Sequence, residues 1–191
     1  NLSPAIWNCF NTLSASEVES ELSHLEHEFG TIIEGVRSHT DTMLLFAGFE
    51  PPAFPALGVF DSQSAEGQLA AIQSLNDRLR ARLGGTPGCY FLDLPLCAAR
   101  VGLENFYDLR LWQLGQAPYS RRALQSVAFE ISRYAYSLVG ANKKCLVLDC
   151  DNVLWGGLIG ENGLAGIQLS KSYPGSAYVG LQQEILNLHK R

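Results

Sequence analysis

A short apolar run, Cys145 to Leu148, ends on a carboxylate, Asp149, and a second carboxylate follows two residues later at Asp151. The run is apolar enough for a strand buried on both faces, and such strands belong to parallel sheets covered by helices. Beyond Asp151 the chain turns glycine-rich, with Gly156, Gly157, Gly160, Gly163 and Gly166. A buried strand that delivers two carboxylates at its carboxyl end sits where open α/β sheets bind ligands. There Asp149 can serve as a nucleophile or a metal ligand, and a tight turn brings Asp151 back to the same place. Two such carboxylates hold a Mg²⁺ ion or divide the work of nucleophile and general acid/base. The spacing alone serves equally well for an ordinary Asp-x-Asp-Asn turn.

The rest of the chain alternates helical and extended patterns. Residues 4–10 read as a short strand. Ser14 and Glu17 have capping-box spacing, and a helix follows to about Arg37, with Val18, Leu22, Leu25, Phe29, Ile32, Ile33 and Val36 on one stripe. His24 and His27 lie off that stripe and read as a solvated face. Residues 42–49 read as a buried strand. A loop with Pro51, Pro52, Pro55 and Gly58 leads to Ser64, which is placed to cap a second helix ending at Gly84-Gly85. Cys89–Leu92 is another apolar strand, ending at Asp93. From Leu94 to Gln116 the pattern weakens into a loop-rich stretch. A third helix starts at Pro118–Ser120, with Leu124, Val127, Ala128, Ile131, Ala135 and Leu138 on one face. A last helix begins near Pro174, with Tyr178, Leu181, Ile185 and Leu188 as its stripe. Strands that alternate with helices argue for parallel sheets with crossover helices. The composition shift near residue 140 divides the chain into 1–140 and 141–191.

The bulk numbers exclude several classes. The chain has 191 residues, 47% hydrophobic and 17% charged, with net charge −5. It has no basic run, which argues against a nucleic-acid partner. No apolar run approaches the length of a membrane span, and no signal peptide is visible. The five cysteines, Cys9, Cys89, Cys97, Cys145 and Cys150, form no Cys-x-x-Cys pair. Four of them sit in or beside apolar runs, as buried thiols do, so a reducing, cytoplasmic setting is expected rather than a disulfide framework. No spacing fits a zinc site. The first residue is Asn rather than Met, and the chain reads as a fragment or as one with its start removed.

The string Asp149-Cys150-Asp151-Asn152-Val153-Leu154 resembles the first motif of the haloacid-dehalogenase (HAD) superfamily, Asp-x-Asp-x-Thr/Val. Its continuation, Leu154-Trp155-Gly156-Gly157-Leu158-Ile159-Gly160-Glu161-Asn162-Gly163, is similar to the FkbH-like branch (subfamily IIIC), the glyceryl-transferring, phosphatase-like proteins of polyketide pathways. The family pattern has Leu and Thr where this chain has Cys150 and Val153, changes that leave the motif's chemistry intact. The resemblance implies an α/β fold: a flavodoxin-like, SGNH-like three-layer sandwich over 1–140, then the first part of a HAD Rossmann-like domain over 141–191. Leu75-Asn76, Phe91-Leu92-Asp93, Asp108-x-Arg110-x-Trp112 and Pro118-Tyr119-Ser120 carry it in the first domain.

The same resemblance implies Asp149 as nucleophile, Asp151 as acid/base, Mg²⁺ held by both, a bisphosphorylated glycerate such as 1,3-bisphosphoglycerate as substrate, and an acyl carrier protein as acceptor of the glyceryl group. The second to fourth HAD motifs do not lie in this chain, and Lys171 and Lys190 are misplaced for the third. An SGNH hydrolase would need a histidine base, yet no His stands between His39 and His189, so the first domain reads as a scaffold or recognition surface. Asp108, Arg110 and Trp112 either line a groove there or mark a loop tied by one ion pair and one buried ring. Cys145 is either a thioester-forming residue or a buried structural thiol. Along an extended strand it stands about 13 Å from Asp149, at roughly 3.3 Å per residue. Besides the enzyme, two other readings stand: a plain HAD phosphatase, and a non-catalytic module that docks a carrier protein.

Overall fold

The computed structural model describes residues 9–140 and 143–190. The chain divides into two compact units, 1–140 and 141–191. The first is a helix-rich α/β arrangement around a small parallel sheet.

Helix α1 spans Ala15–Arg37. Its capping box closes as its residues dictate: Glu17 N donates to Ser14 Oγ at 3.4 Å, and Ser14 N donates to Glu17 Oε2 at 2.8 Å. Strand β1 is Leu44–Ala47, helix α2 Gln68–Gly84 and strand β2 Cys89–Leu92. The strands pair in parallel with Leu44 opposite Cys89 and Ala47 opposite Leu92, so α2 is the crossover between them. Leu22 and Leu25 of α1 pack with Ala71, Ile72 and Leu75 of α2. Ile33 packs with Leu79, Leu83 and Cys89. Each buried Leu or Ile among these contributes about 1.5–3 kcal/mol. The ion pairs at the rim, Arg78–Glu19 at 2.8 Å and Arg82–Glu34 at 2.6 Å, are partly to largely solvated. Pairs of that kind contribute at most about 1 kcal/mol, so packing holds α1 to α2.

After β2 the chain forms three short helices, α3 (Leu94–Val101), α4 (Leu103–Phe106) and α5 (Leu109–Gly115), then the long α6 (Arg121–Leu138). The expected loop between Leu94 and Gln116 is thus largely helical. Asp93 and Asp108 supply the starts: Asp93 accepts from Leu96 N at 2.9 Å and Asp108 from Arg110 N at 3.0 Å. Cys97 and Ala98 of α3, Phe106 and Ala123 make a second core. Glu130 of α6 is buried and pairs with Arg100 and Arg133.

Several expectations are corrected. The strand at 42–49 is shorter and only half buried. The 4–10 segment lies mostly outside the described residues, and Phe10 opens a short 3₁₀ turn, Phe10–Thr12. Ser64 does not cap α2. A buried carboxylate does so from a distance: Asp61, 1% exposed, accepts from Gln68 N at 3.1 Å and Leu69 N at 2.9 Å. The predicted apolar face of α6 faces solvent at Leu124, Ile131 and Leu138, while Ala123 and Glu130 are buried.

The second unit holds α7 (Ile159–Gly166) and α8 (Gly175–His189). Residues 143–149 form neither helix nor strand, and Val147 is 88% exposed. The expected buried strand at Cys145–Leu148 is therefore not formed. A strand buried on both faces needs neighbouring strands for its backbone groups, and no strand lies in this unit among the described residues. Cys145 and Cys9 are exposed, whereas Cys89 and Cys97 are buried. Cys145 is thus not a buried structural thiol. No helix among the described residues is long and apolar enough to cross a membrane.

Candidate functional site

Asp149 immediately precedes a tight turn, and Asp151 lies within it. Cys150 O accepts from Val153 N at 3.3 Å and from Leu154 N at 2.9 Å. Asn152 takes the left-handed conformation, φ 56°, which Asn tolerates because its short amide bonds to the nearby backbone. Its Oδ1 accepts from Gly157 N at 2.7 Å. Gly157 itself has φ 100°, a conformation that favours glycine.

The turn is fastened to the rest of the unit at two points. Gly156 and Gln168 exchange backbone hydrogen bonds at 3.2 and 2.7 Å. A Cβ at Gly156 would stand 2.8 Å from Gln168 Oε1 and 2.9 Å from the Tyr178 ring, so a side chain here would force both to shift. Gln182 of α8 donates Nε2–H to Leu154 O at 2.6 Å.

Within this frame Asp151 is fixed. Its Oδ1 accepts from Trp155 Nε1 at 2.9 Å and from Ile159 N at 3.4 Å. Asp149 is exposed, and its Oδ1 accepts from Cys150 N at 2.7 Å. The second oxygen of each carboxylate accepts no hydrogen bond among the described residues. Two hard oxygen donors from one turn suit Mg²⁺ in kind, since Mg²⁺ keeps several waters and takes only one or two carboxylates beside substrate phosphates. No group of three or more His, Cys, Asp or Glu side chains converges among the described residues.

Trp155, Asn152 and Gln182 were not singled out as site residues from the sequence. The first two carried a signal: a Trp four residues after an Asp, and an Asn in a turn beside glycines. Gln182 acts across 28 positions and left none.

In the first unit, Glu50 follows β1 and is buried, and Tyr107 Oη donates to its Oε1 at 2.8 Å. The Tyr107 and Tyr119 rings stack 6.2 Å apart. Burial, then the Glu50 charge, pushes both phenols well above their ordinary range, so both stay neutral. Asn76 clamps the end of β1, accepting from Phe49 N and donating to Phe49 O, each at 2.8 Å. The described histidines of this unit, His24, His27 and His39, are exposed on or just after α1. Arg110 pairs with Asp108 at 3.3 Å, but Trp112 is not buried.

The chain is similar to the N-terminal part of a Bacteroides fragilis protein that contains a phosphatase domain, solved as a crystal structure in complex with Mg. The TM-score is 0.77 at 17% identity, and the match covers 99% of this chain and 50% of that chain. This chain thus spans about half the length of that one. At this identity the likeness is one of fold. No protein-family model matches the chain, and no curated protein matches it.

Proposed function

We propose that this protein is a Mg²⁺-dependent phosphatase of the HAD type, in which Asp149 is the nucleophile and Asp151 the general acid/base. The observation that carries the reading is the fixing of Asp151 by Trp155 Nε1 two residues beyond an open Asp149 carboxylate. The fold shared with a phosphatase-containing protein supports it. Asp149 attacks phosphorus, the bond from phosphorus to the leaving oxygen breaks, and Asp151 delivers a proton to that oxygen. Water then cleaves the aspartyl phosphate, with Asp151 taking a proton from it. Asp149 and Asp151 would hold Mg²⁺, which when bound offsets the crowding of anionic oxygens around the phosphoryl group.

The finer reading is the FkbH-like one, supported by the string Asp149–Gly163. In it the substrate is 1,3-bisphosphoglycerate and the glyceryl group passes to the thiol of an acyl carrier protein, with the SGNH-like unit 1–140 as scaffold. The sulfur forms the new bond to the glyceryl carbonyl, the acyl phosphate leaves as phosphate and the thiol proton is lost to solvent, while the second phosphoryl group passes from the C3 oxygen to Asp149, Asp151 protonates that oxygen, and water releases the phosphate from Asp149. A relay through Cys145 is favoured by one observation, its exposure. Mass spectrometry of the carrier protein beside a phosphate assay tests the reading in the complete protein. Phosphate release with a glyceryl-loaded carrier is expected. Release without loading leaves the plain phosphatase, and neither leaves a non-catalytic docking module. Cys145→Ala that releases phosphate but loads nothing assigns the relay.

A further inference from the structure

Trp155 is held on both sides through its own backbone neighbours. After it, Gly156 N donates to Gln168 O at 3.2 Å and Gly156 O accepts from Gln168 N at 2.7 Å. Before it, Leu154 O accepts from Gln182 Nε2 at 2.6 Å. That carbonyl lies in the peptide plane that Leu154 shares with Trp155, so a hold on the oxygen restrains the Cα of Trp155 as well. The indole leaves this Cα and donates to Asp151 Oδ1 at 2.9 Å. Leu154 N, on the other side of the same residue, donates to Cys150 O at 2.9 Å and closes the turn.

The hold on Leu154 O comes from α8, 28 positions away. Tyr178, Gln182 and Ile185, at spacings of four and three, are the half-buried face of that helix, while Leu181, Leu186 and Leu188 are exposed. The Tyr178 ring lies against Gly156, and Gln182 reaches Leu154 O one step earlier in the same segment. An apolar side chain of similar length would fill the place of Gln182 and leave Leu154 O without this bond. Among the described residues Gln182 bonds to neither carboxylate. Its effect on them runs through the Leu154–Trp155 peptide and the indole.

We infer, resting on the phosphatase function proposed above, that Gln182 is a positioning residue for Asp151 and thereby sets how well the site expels poor leaving groups, alkyl phosphates above all. In the first step Asp149 forms a bond to phosphorus, the bond from phosphorus to the leaving oxygen breaks, and Asp151 gives its proton to that oxygen. A departing alkoxide needs that proton, whereas an electron-poor phenolate leaves as a stable anion without it. A displaced Asp151 therefore penalises alkyl phosphates selectively. Proton transfer of this kind contributes ~10²–10⁴-fold, and partial misalignment forfeits part of it.

The test is the kcat/KM of the complete protein on an alkyl phosphate, 3-phosphoglycerate, and on p-nitrophenyl phosphate, measured on the same samples with Mg²⁺ present. This parameter reports the transfer to Asp149 and not the later hydrolysis of the aspartyl phosphate. The alkyl-to-aryl ratio of the two values does not depend on the folded fraction, so a poorly folding variant still answers. Gln182→Met keeps the reach of the side chain and removes the donor, and should lower the ratio about tenfold. Gln182→Glu, which sets an acceptor against the Leu154 carbonyl, should lower it likewise. Because Gln182 acts through Trp155, adding Gln182→Met to Trp155→Phe should lower the ratio little beyond Trp155→Phe alone. A ratio that stays at its wild-type value in both Gln182 variants, with equal losses on the two substrates or with none, would make Gln182 structural only and overturn the proposal. Falls in the ratio that multiply in the double variant would overturn it too. A wild-type protein that releases phosphate from neither substrate overturns the phosphatase reading and this inference with it, so the two failures are told apart.

Discussion

The indole Nε1 of Trp155 donates a 2.9 Å hydrogen bond to Oδ1 of Asp151. One carboxylate of the Asp-Cys-Asp turn is thereby oriented by a side chain four residues on, while its neighbour Asp149 stays open. A proton-transferring carboxylate works only when held within hydrogen-bond reach of the leaving oxygen. In the function proposed above, the indole is a positioning group.

Trp155→Phe keeps the ring and removes the donor. Asp151 then retains only the longer bond from Ile159 N, 3.4 Å. Loss of alignment should lower kcat for phosphate release by about 10–100-fold while KM changes little, because small misplacements cost catalysis more than binding. Steady-state kinetics of the complete protein, with the thermal midpoint measured in parallel, checks this. A fall in KM and kcat together with a lowered midpoint would mean that Trp155 is structural only.

Asp61 should be the costliest single carboxylate in the first unit. It is buried and serves the first two amides of α2. Asp61→Ala leaves buried N–H groups unpaired at a helix start and should destabilise the protein by about 2–3 kcal/mol. Asp61→Asn retains one acceptor oxygen and should cost less. Denaturant unfolding of the two variants gives the ordering.

The alkaline limb of stability should report Tyr107 and Tyr119. Burial and then the Glu50 charge raise both phenols in the folded state. Above the unfolded value of about 10 the unfolded chain releases these protons and the folded chain retains them. Stability must therefore fall as pH rises through about 10. Tyr107→Phe should flatten that limb, since Phe has no proton to retain, at the cost of the bond to Glu50 at neutral pH. Thermal midpoints between about pH 8 and 11 measure it.

Short-range chemistry was legible in the sequence, and partners were not. The Ser14–Glu17 capping box is set by residues three positions apart and forms, and a tight turn forms at Cys150–Leu154, just past Asp149. The β1–β2 strands were visible as apolar runs and pair in parallel. What failed depended on neighbours. Of the stripe read as a core face, Leu124, Ile131 and Leu138 lie in solvent and Val127 packs inward, because α6 turns the neighbouring side of the helix, with small Ala123, toward α3 and α4. Periodicity says that a face is apolar and not what covers it. Cys145–Leu148 has a buried strand's composition without strands beside it. Asp61 caps α2 across seven positions, beyond the reach of any local signature.

The central claim is that Asp149 performs the phosphoryl chemistry. It is tested most directly by Asp149→Asn in the complete protein, assayed for phosphate release from a phosphorylated glycerate with Mg²⁺ present. The amide keeps the shape of the carboxylate and cannot act as the nucleophile, so no aspartyl phosphate forms and release should fall to background. Undiminished phosphate release from Asp149→Asn would contradict the assignment.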